Sequence, residues 1–227
     1  MKMQTLTEAQ FQSFIQDASL MKSDRHGPKV YRRPDEIYVK LFRQRRQFSL
    51  AAIWPYAERF HRNSLTITRR GFDTIKVDAM YTCPEIDRTM VVYKELKGEL
   101  LHDALEKDLS RERIEQLAGF LAALHDKGIY FRSIHMNNIV LQPGGTLGLI
   151  DIADVRFRWH ALGALRRVRN LCHLLNIQHG PQLLYVDGKL NYFLDTYLRF
   201  AKLGFIRKAL FTFFIHRYID PEYKPAI

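Results

Sequence analysis

The fold turns on residues 128–154, GIYFRSIHMNNIVLQPGGTLGLIDIAD. Gly128 closes an amphipathic run, SRERIEQLAGFLAALHDKG (110–128), in which Ile114, Leu117, Ala118, Leu121 and Leu124 recur at helical spacing. Ser110 is placed to cap that helix, and Gly128 to end it, because glycine takes the left-handed conformation that many helix C-termini need. Beyond the helix, NNIVLQ and LGLIDIAD are short apolar runs joined by PGG, the pattern of a small hairpin. A loop, FRSIHMNN, therefore lies between helix and hairpin, and Asp151 closes the last apolar run.

Toward the N-terminus the character is different. Residues 6–20 predict a short helix with Thr7 as its N-cap. Residues 23–42 read as a turn, a strand, a second turn at RPDE and a strand ending at Lys40. SLAAIWPYAERFHRN (49–63) reads as a helix broken near Pro55, which lacks an amide donor and clashes with the preceding turn. IKVDAMYTC (75–83) and RTMVVYKEL (88–96) fit two strands of a hairpin joined through Pro84. From about residue 160 onward the chain reads as helical. The expectation is an α+β chain, with a β-rich lobe over 1–97 and a helical lobe over 98–227.

Four polar residues recur in a telling order. Lys40 ends the strand IYVK, and Glu58 follows eighteen residues later on the next helix. Asn138 lies on the loop after the long helix, and Asp151 comes thirteen residues after it. This is the order and approximate spacing of the bilobal protein-kinase fold. The chemistry explains the residue types. The phosphates of ATP call for a lysine, whose flexible stem a carboxylate such as Glu58 would hold. Mg²⁺ takes hard oxygen ligands and keeps waters, so one amide and one carboxylate, Asn138 and Asp151, would suffice.

The stretch 128–154 resembles the catalytic and metal-binding segments of the lipopolysaccharide core heptose kinase group. DRHGPKVYRRPDEIYVKLFRQRRQFSLAAIWPYAERFHRN (24–63) is similar to the N-lobe of the toluene-tolerance proteins attached to that group. The resemblance spans most of residues 20–175. It implies a kinase-like fold, ATP and Mg²⁺ as cofactors, and phosphorylation of a lipopolysaccharide core sugar. It assigns Lys40 as the nucleotide lysine, Glu58 as the helix glutamate, and Asn138 and Asp151 as the metal ligands.

Three departures bear on activity. The usual His-Arg-Asp or His-Gly-Asp is here Phe131-Arg132-Ser133, so Ser133 stands where the family carries its catalytic aspartate. A serine hydroxyl is a weak base without a partner, and His135 is the nearest titratable group. The phosphate-covering loop, SDRHGPKV, offers a single glycine, Gly27, with Arg25, His26 and Lys29 as charged substitutes. Ala153 stands where a protein kinase has glycine. Phosphoryl transfer depends mainly on positioning and electrostatics, and a general base contributes about 10²–10⁴-fold. Two readings follow: a phosphotransferase with a weakened catalytic loop, and a catalytically inactive kinase-like binding protein (a pseudokinase) acting in envelope or lipopolysaccharide maintenance.

Composition narrows the partners. The 227 residues carry a net charge of +11, which favours an anionic glycan or glycolipid. Two basic clusters, KLFRQRRQF (40–48) and ALRRVRNL (164–171), read equally as anion-facing or as solvated faces. No nucleic-acid recognition motif occurs, so nucleic acid is disfavoured. The run 199–218 mixes Phe and Leu with Arg and Lys; it reads first as a core helix, second as a peripheral contact with an anionic membrane. The N-terminus has no signal-peptide core, and no apolar run of about eighteen residues occurs. These features predict a cytoplasmic protein, with the inner face of the cytoplasmic membrane as a peripheral station. Cys83 and Cys172 match neither a metal nor a disulfide framework.

Overall fold

The computed structural model describes residues 1–43, 55–175 and 189–220. The chain divides into two compact units: Met1–Leu96 with Asp151–Ala153, and Lys97–Ile150 with Asp154–Ile227. Most of the first basic cluster and the start of the helix expected from Ser49 lie outside the described residues.

The first unit contains β1 (Gln4–Thr5), α1 (Glu8–Ile15), β2 (Ser19–Asp24), β3 (Gly27–Arg32), β4 (Ile37–Arg43), α2 (Tyr56–Arg69), β5 (Asp73–Thr74), β6 (Val77–Cys83) and β7 (Arg88–Lys94). Six of the strands form a sheet in the order β1-β6-β7-β4-β3-β2, antiparallel except for β1 against β6. Thr7 caps α1 with a reciprocal box: its hydroxyl accepts from Gln10 N at 3.2 Å, and Gln10 Oε1 accepts from Thr7 N at 2.9 Å.

Strand alternation sorts β4 into two faces. Val39 and Leu41 join Phe11, Cys83, Met90 and Val92 in a core under α1. Tyr38, Lys40 and Phe42 point the other way, where Phe60 of α2 contacts Phe42 and Tyr93 at centroid distances of 5.9 Å. Tyr38 and Tyr93, directly opposed across β4 and β7, stack at 5.8 Å.

Two expectations are corrected here. Residues 19–24 form the edge strand β2, which was not expected: every residue is exposed and its pairing with β3 is bulged, so no apolar alternation is written into it. Helix α2 continues to Arg69, six residues past the expected end at Asn63, and starts immediately after Pro55.

The second unit contains β8 (Glu99–Leu100), α3 (Leu101–Lys107), α4 (Arg111–Asp126), β9 (Ile129–Phe131), β10 (Ile139–Leu141), β11 (Leu147–Leu149), β12 (Val155–Phe157), α5 (Ala164–Leu175), α6 (Lys189–Phe200) and α7 (Phe205–Tyr218). Ser110 caps α4, its hydroxyl accepting from Arg113 N at 3.4 Å. The apolar residues Ile114, Leu117, Ala118, Leu121 and Leu124 are all buried. β10 pairs antiparallel with both β11 and β8, and β9 with β12. β12 is too short to leave a pattern in the sequence.

Gly98 opens this unit at φ +147, and a Cβ there would lie 2.3 Å from the Leu141 carbonyl oxygen and 2.7 Å from Val140 Cγ1. Only glycine lets the chain pass this close to β10. Gly98→Ala is expected to lower the unfolding free energy by more than about 2 kcal/mol in urea denaturation. Gly163→Ala, with nothing within 4 Å of its added carbon, is expected to stay within about 1 kcal/mol of the parent.

Candidate functional site

In the first unit Lys40 leaves β4 on the face lined by Phe42, Phe60 and Tyr93. Its ammonium lies 5.8 Å from the Phe42 ring centroid and 5.6 Å from that of Phe60. The side chain is only 14% exposed and its Nζ donates to Asp151 Oδ1 at 2.5 Å. Burial pulls the lysine pKa below its ordinary value, Asp151 pushes it back up, and the nearby ammoniums of Lys22 and Lys29 add to the lowering. The same burial, with the Asp151 charge behind it, raises the Tyr93 hydroxyl far above its usual range, so Tyr93 stays neutral.

Asp151 itself sits at φ +54, in the left-handed region that Asp tolerates better than most residues. Among the described residues, the other non-glycine positions there, Glu36 and Asp87, occupy the tight turns before β4 and β7. Asp151 directly precedes a single 3₁₀ turn, Ile152–Asp154, and strain of this kind persists only where surrounding structure over-determines it. Helix α2 supplies that structure. Asn63 Nδ2 donates to the Ile152 and Ala153 carbonyls at 2.7 and 3.3 Å, and Arg59 Nη2 donates to Ala153 O at 3.1 Å. The Asp151 side chain is 43% exposed, so the carboxylate is held yet open to solvent.

Lys40 and Asp151 are thus brought together, whereas Lys40 and Glu58 are not: the described ion pair of Lys40 is with Asp151. Glu58 is half-buried in the first turn of α2, where its charge complements the helix dipole. Gly27 takes φ +99 at the β2–β3 hairpin, and Lys29 pairs with Asp24 at 2.8 Å on the surface. Arg25 Nε donates to His26 Nε2 at 3.1 Å, and Arg88 Nη2 to the His26 carbonyl at 2.8 Å. Asn63 and Arg59, which clamp the Asp151 segment, were not singled out from the sequence. They sit one turn apart on α2, and a polar i, i+4 pair on a helix reads as surface until its partner is known.

In the second unit the loop between β9 and β10 is fixed from both ends. Asn138, buried, donates Nδ2 to the Ser133 carbonyl at 2.9 Å, and Ile150 N donates to Asn138 O at 3.0 Å. Ser133 and His135 are half-buried.

The start of the loop is held by a buried polar relay. Arg167 is wholly buried and donates to the Leu162 carbonyl (2.7 Å), Asp126 Oδ1 (2.6 Å) and Tyr197 Oη (3.1 Å). Tyr197 Oη lies 2.7 Å from His125 Nδ1, His125 Nε2 lies 2.9 Å from Asn170 Oδ1, and Asn170 Nδ2 donates to the Phe131 carbonyl at 2.6 Å. Since Asn170 Oδ1 and Phe131 O can only accept, the directions are set: His125 carries its proton on Nε2 and accepts from the Tyr197 hydroxyl at Nδ1. Every member is satisfied with His125 neutral, and a second proton would face a donor. Burial accordingly pushes the His125 pKa down to about 3. This corrects the reading of 164–171 as a uniform basic face: Arg166 and Arg169 are exposed, but Arg167 belongs to the core.

No protein-family model and no curated protein sequence matches the chain. Among solved structures it is similar to monomeric WbdD, with 19% identity and a TM-score of 0.50 over 81% of this chain and 44% of that one. It is also similar to a second structure described as the bifunctional kinase-methyltransferase WbdD, with 17% identity and a TM-score of 0.50 over 87% of this chain and 44% of that one. The chain spans less than half the length of those proteins. At such identities the likeness carries the fold, and that fold is the α+β protein-kinase-like one. Among the described residues no helix is long and apolar enough to cross a membrane.

The relay makes a pH prediction. The unfolded chain protonates His125 near its ordinary value of 6.5 while the folded chain refuses the proton until about 3, so stability falls as pH drops through that window. Urea denaturation from about pH 6 to about pH 4 is expected to give a flatter slope of unfolding free energy for His125→Gln than for the parent. Equal slopes would mean that the ring is charged in the native state.

Proposed function

We propose that the chain binds Mg²⁺·ATP through Lys40 and Asp151 and transfers phosphate to a sugar hydroxyl of the lipopolysaccharide-core type. The observation that carries this reading is a desolvated lysine held against a strained, half-open aspartate. Both groups fit the cofactors. The Lys40 ammonium offers donors to phosphate oxygens, and the exposed part of the Asp151 carboxylate offers the hard oxygen that Mg²⁺ prefers. When bound, the ion would neutralise charge on the phosphates during transfer.

The chain's own residues have definable parts in that reaction. Lys40 binds phosphate as a point charge, and the aromatic wall of Phe42 and Phe60 keeps water from screening it. Asn63 and Arg59 hold the Asp151 segment in its left-handed conformation. Lys29, whose ion pair with Asp24 is exposed and screened by solvent, would turn to a phosphate at little cost. Asn138 is the proposed second metal ligand and Glu58 a proposed nucleotide-site residue, on the strength of the family resemblance. Gly27 is proposed to let the hairpin backbone approach the phosphates. Ser133 and His135 are the residues proposed to attend the acceptor hydroxyl.

A second reading, a kinase-like protein that binds nucleotide without turning it over, is favoured by one specific observation: position 133 carries a hydroxyl, a weak base without a partner, where the family resemblance places a carboxylate. Two measurements separate the readings. Calorimetric titration is expected to show ATP binding that requires Mg²⁺ and weakens by at least about tenfold in Asp151→Ala, a step of about 1.4 kcal/mol. Labelled-phosphate transfer to lipopolysaccharide core acceptors is then expected in the parent and to rise by about 10²-fold in Ser133→Asp. Binding without transfer in either protein would leave the binding reading standing; absence of binding at millimolar ATP would contradict both.

A further inference from the structure

Helix α7 buries only part of itself. Phe211 and Ile215, one turn apart, seat it against the unit; Phe211 stacks on Tyr197 of α6 at 5.2 Å, and the Tyr218 carbonyl at its end accepts from Cys172 Sγ of α5 at 4.0 Å. Ile206, Ala209, Leu210 and Phe213 recur at the i, i+3, i+4, i+7 spacing that defines a second apolar stripe. At 3.6 residues per turn this stripe lies roughly opposite Phe211 and Ile215. All four are exposed, Ile206 by 73% and Phe213 by 60%, and Phe205 at the first position is exposed by 88%. The expectation of a core helix with basic residues reaching solvent therefore describes only one side of α7.

The charge on this helix is one-signed. Arg207 borders the stripe and Arg217 lies in line with it at its C-terminal end, Lys208 falls on the side of Ile215, and no acidic residue occurs from Arg199 to Ile219. An apolar ridge bordered by Arg207 and ended by Arg217 matches an anionic bilayer surface, where the apolar groups enter the headgroup boundary and the long cationic side chains reach lipid phosphates. The same charges oppose pairing with a second copy, because each face would set two arginines against two. We propose that the outward face of α7 is a peripheral membrane-docking surface for anionic phospholipid. This assignment is independent of nucleotide binding at Lys40 and Asp151, so either can fail without the other.

Co-sedimentation of the full chain with vesicles tests it. The parent is expected to bind phosphatidylcholine vesicles containing phosphatidylglycerol, and to bind pure phosphatidylcholine vesicles at least about tenfold less. The double variant Ile206→Ser with Phe213→Ser, whose positions are exposed and whose melting curve checks the fold, is expected to lose binding by at least about tenfold. Arg207→Gln with Arg217→Gln is expected to lose the preference for anionic vesicles and the sensitivity to salt. Equal binding of parent and Ser variant, or no binding to either vesicle, would overturn the proposal. So would a dimer without lipid that the Ser variant abolishes, which would make the face a contact between copies.

Discussion

A buried ammonium cannot stand alone in an apolar setting, and the contact between Lys40 and Asp151 answers that constraint. Taking the charge of Lys40 out of water between Phe42 and Phe60 costs several kcal/mol unless a carboxylate is close and well aimed. Asp151 supplies it at 2.5 Å, but only by adopting a left-handed backbone. That conformation in turn needs holding, and Asn63 and Arg59 do this from α2 through the carbonyls of residues 152 and 153. The chain of dependence runs from one electrostatic requirement to a strained residue, and from there to the polar face of a helix. Removing any link exposes the cost of the others.

The second unit solves a different problem with the same economy. Its loop between β9 and β10 begins at the Phe131 carbonyl, and that carbonyl terminates a directed relay from Arg167 through Tyr197, His125 and Asn170. A fully satisfied buried network fixes geometry because each bond leaves its neighbour one role. The loop is therefore positioned whatever residue occupies 133. A scaffold that holds this loop in place with a hydroxyl at position 133 is compatible with both proposed readings, transferase and binding protein, and the distinction between them is chemical.

Much of the fold was legible in the sequence because hydrophobic period carries it. The stripe Ile114 to Leu124, the Thr7 and Ser110 caps, and the hairpins around Pro84 and Gly144 are local signals that packing did not overrule. The edge strand β2 was not legible, since an exposed strand has no face to pattern. Within the candidate site, Lys40 and Asp151 stood out because each closes an apolar run, IYVK and LGLID, and their order is that of a kinase fold, although β4 continues past Lys40 to Arg43. The contact between them was not foreseen; spacing along the chain suggested Glu58 as the carboxylate partner. Long-range partners such as Asn63 and Arg167 escaped for a common reason: a polar residue on a helix reads as solvent-facing until the group it bonds is known. Residues 206–213 were obscured differently, because two opposed apolar faces cancel in any measure of amphipathicity.

The titration of Lys40 tests the central claim most directly. With lysines reductively dimethylated with ¹³C, the Lys40 methyl resonance can be followed against pH in the parent and in Asp151→Asn. The account predicts a pKa for Lys40 below the ordinary lysine value in the parent, falling further once the carboxylate is replaced, because burial remains and its offset is gone. An ordinary pKa that does not move in Asp151→Asn would show that the two groups do not meet, and the site built on them would be lost with the contact.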